Sequence, residues 1–305
     1  MILISVLLVL FGGFCSAAQS PTNATLSSYV GNFQSATISF AGGAAVMLLA
    51  MIAVGDGNLA MVGQAPVWQW IGGIYGAFLV LMITFAAPVL GIALTLTMSM
   101  FGQIVMGIIV DTFGLLGTEA VPFSPLRILG AVLVAAGIVL VYIGKTRQGT
   151  KLADSKAKVA LIGFLMFLAG VGATVQTPTN AALAIHVGKW EAGFVSFFGG
   201  FLVLLIFTLI INKGKIHKVR GIGIRPWMCI GGVYGAAAVF VNMVAVPYIG
   251  AALVVSAAMF GSLAGALIID NYGLFRAAKV DMNRWRYVGV LVIACGVVLV
   301  TVAKL

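Results

Sequence analysis

A short polar motif, Gln-x-Pro-x-Asn, occurs twice in an otherwise apolar chain. A proline inside a helix removes a backbone donor and crowds the carbonyl four residues earlier. In a membrane, a freed carbonyl must face protein or a water-filled cavity, and the neighbouring amides could bind a polar solute there or complete the broken ladder. The motif therefore predicts a substrate-binding or gating site, although it could also merely end an overlong helix. The six residues are Gln19, Pro21, Asn23, Gln176, Pro178 and Asn180.

A second set of polar residues recurs every four positions and therefore lies on one helix face. These residues, Thr95, Ser99 and Gln103, predict one wall of a cavity for an amphipathic solute. The alternative is interhelical hydrogen bonding, which contributes only about 0.6 kcal/mol on average in membranes. At the matching places of a later segment the stripe is weaker. The residues there are Val254, Ala258 and Ser262.

Two aspartates are each followed in the sequence by an arginine, Asp111 by Arg127 and Asp270 by Arg286. Each aspartate ends its predicted helix, where the helix dipole is unfavourable for an anion, and a nearby arginine would relieve this. The repeated pairs predict structural ion pairs or a gate. A proton-coupling role for the aspartates is the alternative.

Other arrangements that carry chemistry are missing from the sequence. The apolar segments contain no Ser-His-Asp, His-Glu-x-x-His or paired-carboxylate pattern. The three cysteines are scattered, which is typical neither of a disulfide framework nor of a metal site. We therefore expect no catalytic residue, no metal and no cofactor, and a protein that is not an enzyme. Lys189, Trp190 and Glu191 are interpreted as an interfacial anchor.

The composition excludes a water-soluble enzyme. Of 305 residues, 62% are hydrophobic and only 8% are charged, whereas a soluble domain has about a quarter of its residues charged. A transmembrane helix takes about 20 apolar residues, so ten of them with short connections account for the whole length. The net charge of +10 lies in a few short loops, and we expect no nucleic-acid partner.

The chain is a tandem duplication with a first repeat at 1–143, a basic linker at 144–157 and a second repeat at 158–305. The residues Gln19–Ala24 return as Gln176–Ala181, an offset of 157, and later matches such as Gly72 with Gly231 have an offset of 159. The first apolar segment also recurs inside the chain, so we expect a spanning helix there rather than a cleaved signal.

Each repeat contains five apolar segments, and an odd number of spans inverts the second copy in the membrane. The predicted fold is therefore an all-α polytopic membrane protein with ten transmembrane helices arranged as two inverted five-helix repeats. The predicted spans lie near 2–28, 34–54, 67–86, 89–110, 126–143, 158–185, 192–211, 227–246, 250–269 and 287–303.

The basic residues predict the orientation. With ten spans, 14 of the 17 lie on one side, in the linker and in the loops after the seventh and ninth spans. Loops rich in lysine and arginine stay on the cytoplasmic side. We therefore expect the chain to lie in the cytoplasmic (inner) membrane of a prokaryote with both termini outside.

Several separate stretches resemble the YdcZ family of the drug/metabolite transporter superfamily, in its fused ten-span form. They are the runs 176–183, 88–91, 101–103 and 109–115, with Gly188, Ser196, Phe197 and Gly199. The resemblance implies a secondary transporter fold of two inverted five-helix repeats. Small multidrug exporters of the superfamily use a glutamate in the first span. This chain has no acidic residue there in either half, so the resemblance does not extend to their proton-for-cation exchange.

These observations together predict a secondary active transporter that moves a small metabolite or drug-like solute by alternating access, with export as the expected direction. Spans 1, 4, 6 and 9 would line the cavity. The expected partners are a polar-neutral or amphipathic solute, protons as a candidate coupling ion and the lipid bilayer, and the expected state is a monomer. The alternative is a non-transporting membrane scaffold or receptor-like partner protein, for which the predicted outer loops are short.

Overall fold

A computed structural model describes residues 2–117, 120, 124–147, 155–213, 223–277, 279 and 282–302. These residues form nine α-helices and no β-strand, which confirms the all-helical class. The helices are α1 (Ile2–Val30), α2 (Asn32–Val54), α3 (Gly72–Leu90), α4 (Ile92–Phe113), α5 (Pro125–Arg147), α6 (Lys156–Val187), α7 (Lys189–Ile211), α8 (Gly231–Tyr272) and α9 (Arg284–Val302).

Six helical segments are long and apolar enough to cross a bilayer, judged by length and composition. They correspond to α1, α2, α3, α4, α6 and α7. Two shorter apolar stretches, Pro125–Val141 and Gly231–Asn242, lie in α5 and α8. The chain is therefore a multi-spanning helical protein, whereas the number of ten spans stays a prediction.

Single glycines separate consecutive helices at three corners. Gly31 between α1 and α2 has a φ of 86°, Gly91 between α3 and α4 has 78°, and Gly188 between α6 and α7 has 102°. Only glycine adopts this region of φ without strain. The chain reverses direction at the first corner. This is shown by the hydrogen bond that Asn23 Nδ2 on α1 donates to Ser39 Oγ on α2 over 3.1 Å. Each corner thus needs no loop.

Helix α8 differs from the prediction, because its 42 residues cover two predicted spans, 227–246 and 250–269, without a helix end between them. Its contacts with α1 nevertheless show that it folds back. A methyl group on Gly12 would lie 3.5 Å from Val241, and one on the next residue, Gly13, would clash with the backbone carbonyl of Ala258. In a straight helix Val241 and Ala258 would be about 25 Å apart, at 1.5 Å per residue.

The two ends of α8 run in opposite directions beside α1. In its first arm (231–242), Gly231 contacts Asn23 and Gly235 contacts Gln19, so the arm is antiparallel to α1. In its second arm (257–272), Gly261 contacts Leu10 and Gly265 contacts Ala17, so that arm is parallel to α1. The chain therefore reverses between the two arms. The reversal falls in the stretch that contains Pro247 and Gly250, the matches of Pro88 and Gly91 at the corner between α3 and α4.

Matched helices of the two halves pack against each other in antiparallel pairs. In the pair α2 and α7, the Oγ1 atoms of Thr37 and Thr208 lie 2.8 Å apart, while Met47, later in α2, lies against Gly193, earlier in α7. The pair α5 and α9 has the same relation, since Gly137 contacts Gly289 and Gly130 contacts Gly296. In these two pairs the helices therefore run in opposite directions.

Contacts near the connections define two ends of the bundle. At the first, Arg276 Nη1 donates to Tyr29 Oη over 2.7 Å, and Asn283 Nδ2 donates to the Gly144 carbonyl over 2.7 Å. At the other, Asn58 N donates to the Val187 carbonyl over 2.9 Å. We call the first the basic end because it contains most of the basic residues whose side chains are described. They are Lys156, Lys158, Lys213, Arg225, Arg276, Lys279, Arg284 and Arg286.

Candidate functional site

The amides of the first Gln-x-Pro-x-Asn motif bind one serine of the neighbouring helix. Gln19 Nε2 and Asn23 Nδ2 donate to Ser39 Oγ over 3.4 and 3.1 Å. Asn23 is 1% exposed, and Pro21 is also buried. Because Ser39 lies on α2, the motif fastens the two arms of the first helical hairpin. The motif thus lies in the protein interior, where a bound solute would be separated from lipid.

Neither proline breaks its helix, contrary to the predicted helix breaks. Helix α1 continues through Pro21 to Val30, and α6 continues through Pro178 to Val187. The hydroxyl of Thr22 donates to the carbonyl of Ala18 over 2.7 Å, and that of Thr179 donates to the corresponding carbonyl of α6 over 2.8 Å. Such bonds and the surrounding helices hold a proline within a membrane helix. The alternative, that the motif ends an overlong helix, is not met either, since both helices continue for seven residues beyond the asparagine.

The same amides lie against glycines of the opposite half. A methyl group on Gly231 would clash with Asn23 Oδ1, and one on Gly235 would lie 2.8 Å from Gln19 Nε2. The second motif makes the same contacts with the first half. Asn180 lies against Gly72, and Gln176 lies against Gly76. The sequence marks the amides and the glycines separately, by their recurrence at the offsets 157 and 159, and no pattern in it joins the two sets.

We call these two sets of contacts the amide–glycine pairs, Asn23 with Gly231 and Asn180 with Gly72. Both connect the two halves of the chain. Each asparagine is seven residues before the end of its helix, about 10 Å at 1.5 Å per residue. The first pair therefore lies toward the basic end and the second toward the opposite end. Within the described structure, neither Asn23 Oδ1 nor Asn180 Oδ1 has a hydrogen-bond partner.

The polar stripe of α4 faces α6. Thr95 is fully buried, and its hydroxyl donates to the Gly91 carbonyl of its own helix over 2.7 Å. Gln103 Nε2 donates to Ser99 Oγ over 3.3 Å, while the Gln103 carbonyl accepts from the Thr174 hydroxyl over 3.1 Å. The bond from Thr174 joins α6 to α4, whereas the other two lie within α4 and its first corner. Cavity lining by the stripe stays a prediction.

One predicted aspartate–arginine pair is present and has a third partner. Arg286 Nη2 lies 2.9 Å from Asp270 Oδ2, and both side chains are nearly fully buried. The same carboxylate accepts from the backbone N–H groups of Ile92 and Ala93, over 3.1 and 3.2 Å. Asp270 therefore caps the N-terminus of α4, where an anion is favoured. Of the other pair, Arg127 is 2% exposed, and the side chain of Asp111 lies outside the described part.

Glu191 is a buried carboxylate whose role the interfacial-anchor interpretation did not predict. It is 3% exposed, and its Oε1 accepts from the backbone N–H of Gly57 over 3.2 Å. Gly55, Gly57 and Gly188 surround its carboxylate closely enough that a methyl group on any of them would collide with it. The residue at the matching place, Gln34, is 7% exposed. Glu191 thus connects the α2–α3 connection to the start of α7 at the end opposite the basic one.

The residues described contain no group of three histidine, cysteine, aspartate or glutamate side chains that could hold a metal ion. A groove of about 440 Å³ lies apart from the amide–glycine pairs, between α4, α5 and α6. Hydrogen bonds that join the two halves include Thr37 with Thr208, the Gly57 N–H with Glu191, the Ile92 N–H with Asp270 and the Thr174 hydroxyl with the Gln103 carbonyl.

A family model decides the relationship of this chain. The model described as "Putative inner membrane exporter, YdcZ" matches it twice, at residues 4–140 and 161–299. The chain belongs to the YdcZ family. The predicted resemblance is thereby confirmed, and so are its assignments to transport and to the membrane. Membership of an exporter family also favours a transporter over an enzyme and a small-molecule solute over a macromolecular partner.

A solved structure supports the fold of this YdcZ family member. The match to one crystal structure includes 97% of this chain and 97% of that chain, at 17% sequence identity and a TM-score of 0.56. At this identity the similarity concerns the fold alone. A search of curated proteins found no match.

Proposed function

We propose that the protein is a secondary active transporter that exports a small polar-neutral or amphipathic solute by alternating access. The observation that carries this proposal is the pair of reciprocal amide–glycine contacts, one toward each end of the bundle. In the proposed mechanism the repeats 1–143 and 158–305 rock against each other, joined by the linker 144–157. Protons remain the candidate coupling ion.

The proposal includes an inverted ten-span arrangement, in which the basic end and the opposite end of the bundle are built from matching helices of the two repeats. It is supported by the antiparallel packing of α2 with α7 and of α5 with α9. The reversal between the two arms of α8 supports two spans within that helix. Inverted repeats of this kind bind their solute at the interface between the repeats.

The amide–glycine pairs give alternating access a physical basis. A glycine lets the asparagine side chain approach the facing backbone, so each pair closes one end when the helices touch. Asn23 Oδ1 and Asn180 Oδ1 have no hydrogen-bond partner among the described residues, and a buried unsatisfied group of this kind costs about 1–3 kcal/mol. A solute that donates hydrogen bonds to these oxygens would recover that free energy. We infer that the transported solute carries hydroxyl or N–H groups.

Replacing Asn23 or Asn180 by alanine is expected to lower transport about tenfold, the effect of one lost hydrogen bond of about 1.4 kcal/mol to the solute. A thermal-shift screen of neutral metabolites and amphipathic drugs against the purified protein first identifies a stabilising solute. Counterflow of that labelled solute into proteoliposomes then measures the initial rate. Ser28→Ala is the control, because Ser28 is exposed on the same helix and its hydroxyl donates to the Thr25 carbonyl of that helix.

Unchanged counterflow in both asparagine variants would exclude these amides from the transport path. Loss of flux in the Ser28→Ala control would show that any polar change in α1 is disruptive. If no solute in the panel is bound or moved, the scaffold function becomes the better proposal.

Labelling of a Lys213→Cys variant is expected to reveal which side is cytoplasmic. Lys213 is exposed just after α7 at the basic end, which the positive-inside rule assigns to the cytoplasm. In a Cys15→Ala, Cys229→Ala, Cys295→Ala background, a membrane-impermeant maleimide should label the Lys213→Cys variant in inverted vesicles and not in intact cells. The reverse result would contradict the orientation with both termini outside.

A further inference from the structure

The groove between α4, α5 and α6 is lined almost wholly by apolar atoms and has a volume of about 440 Å³. Its floor and walls come mainly from α4, α5 and α6, with residues such as Leu94, Met98, Ile138, Val159 and Gly163. A site that orients a transported solute needs a few polar groups among its apolar ones. The walls of this groove offer little of that kind, and its chemistry matches a hydrocarbon chain instead.

The dimensions of the groove fit one leaflet. Along α6 it extends from Lys156 to Phe167, which is about 16 Å at 1.5 Å per residue. The hydrocarbon core of a bilayer is about 30 Å thick, so the groove covers about half of it. Because Lys156 lies at the basic end, the half in question is the leaflet on that side.

The mouth of the groove is positively charged. Lys156 is exposed there, at the first position of α6. A lysine at a helix N-terminus is not stabilised by the helix dipole, whereas an anion is favoured at that place. An anionic group at the mouth would therefore interact favourably with both the ammonium of Lys156 and the start of α6.

From these observations we propose that the groove binds an acyl chain of an anionic phospholipid from the leaflet at the basic end, with the lipid phosphate against the Lys156 ammonium. The apolar lining accommodates the chain, the length matches one leaflet, and the lysine selects the charged headgroup. This lipid site is separate from the amide–glycine pairs. It stands whether or not the proposed transport activity is found.

Gly163 provides a steric test of the groove. A methyl group there would meet only the Met98 side chain, at 3.7 and 3.9 Å, which is ordinary contact. Gly163→Ala should therefore leave the groove open, whereas Gly163→Leu should fill it. Size-exclusion chromatography and thermal melting of each variant establish that it is folded.

The experiment is native mass spectrometry of the purified, delipidated protein with added dioleoyl phosphatidylglycerol or dioleoyl phosphatidylcholine. Wild type and Gly163→Ala should retain phosphatidylglycerol in preference to phosphatidylcholine. Lys156→Ala should lower that preference about fivefold, the effect of one basic residue near an anionic lipid surface. Gly163→Leu should remove the retained lipid of both kinds.

Lys213→Ala is the charge-matched control, since Lys213 is exposed at the basic end but follows α7, away from the groove. If it lowers the preference as much as Lys156→Ala, the attraction is one of general charge and the proposal is wrong. Retention of phosphatidylglycerol by folded Gly163→Leu would also overturn it.

Discussion

Replacing Asp270 by alanine is expected to lower the free energy of unfolding by about 3–5 kcal/mol, because it leaves a buried guanidinium without its carboxylate. The carboxylate lies 2.9 Å from Arg286 Nη2 and also accepts from the backbone N–H groups of Ile92 and Ala93. One change thus removes an ion pair and the cap of α4. Unfolding by sodium dodecyl sulfate in mixed micelles measures the effect.

Two comparisons separate this effect from a general sensitivity to lost charge. Asp56→Ala removes an exposed carboxylate and should change the stability by less than about 0.5 kcal/mol, as surface substitutions do. The double variant Asp270→Ala, Arg286→Met should be more stable than the sum of the single changes implies, because no buried charge remains. Strict additivity of the two changes would show that the pair is not energetically coupled.

The Asp270 cluster joins three helices from both halves at the basic end. It includes the start of α4 from the first repeat and parts of α8 and α9 from the second. A rocking motion that opens this end would have to carry these helices together or break the cluster. When the two repeats rock against each other, we expect the Asp270–Arg286 pair to move as one unit within the second repeat and the bonds to α4 to break, because separating the two charges would leave each in a poorly hydrated interior.

The sequence predicted the Asp270–Arg286 pair but could not predict the cap on α4. The pairing follows from two charges on neighbouring helices with a short connection between them. The cap depends on the end of α8 meeting the Gly91 corner, whose residues are almost 180 positions away. Local spacing predicts which residues share a helix face, and it does not predict which distant backbone they meet.

The amide–glycine pairs illustrate the same limit. The duplication marked Asn23 and Asn180 as equivalent and Gly72 and Gly231 as equivalent, yet nothing in the pattern joined an amide to a glycine. Their contact arises because α1 packs on the second repeat and α6 packs on the first. The buried contacts of Glu191 were even harder to predict from the sequence, because a lone acidic residue beside a tryptophan is typical of a membrane interface.

Most of the fold was predicted because each apolar segment has the length and composition of a helix. The two spans within α8 stay a prediction: the chain reverses between its arms, yet Gly250, the match of the corner residue Gly91, lies inside a continuous helix. Glycine permits a corner and does not require one. Packing of the two arms against α1 decides the reversal.

Gly232→Ala is expected to destabilise the protein by about 3 kcal/mol, the upper part of the range for overpacking. A methyl group there would collide with the backbone carbonyl of Ser39 and would lie 2.6 Å from Gly43 N. Backbone of a neighbouring helix cannot rotate away as a side chain can. Gly73→Ala should behave alike, because the methyl group would meet the carbonyl of Ser196 in the other half. Unfolding in mixed micelles measures both.

The control for these changes is Gly42→Ala, since a methyl group at Gly42 would be 3.9 Å from its nearest neighbours, the Cys229 carbonyl and Gly232 Cα. Both Gly42 and Gly232 are within helices, so the gain in helix propensity of about 1 kcal/mol from alanine applies to each and cancels in the comparison. The difference between the variants then reports the close approach of α2 and α8 alone. Equal losses of stability for Gly73→Ala and Gly232→Ala would mean that the two halves meet through equivalent contacts. If either variant kept the stability of the wild type, the interface would be asymmetric, and its helices could separate at that place without loss of stability.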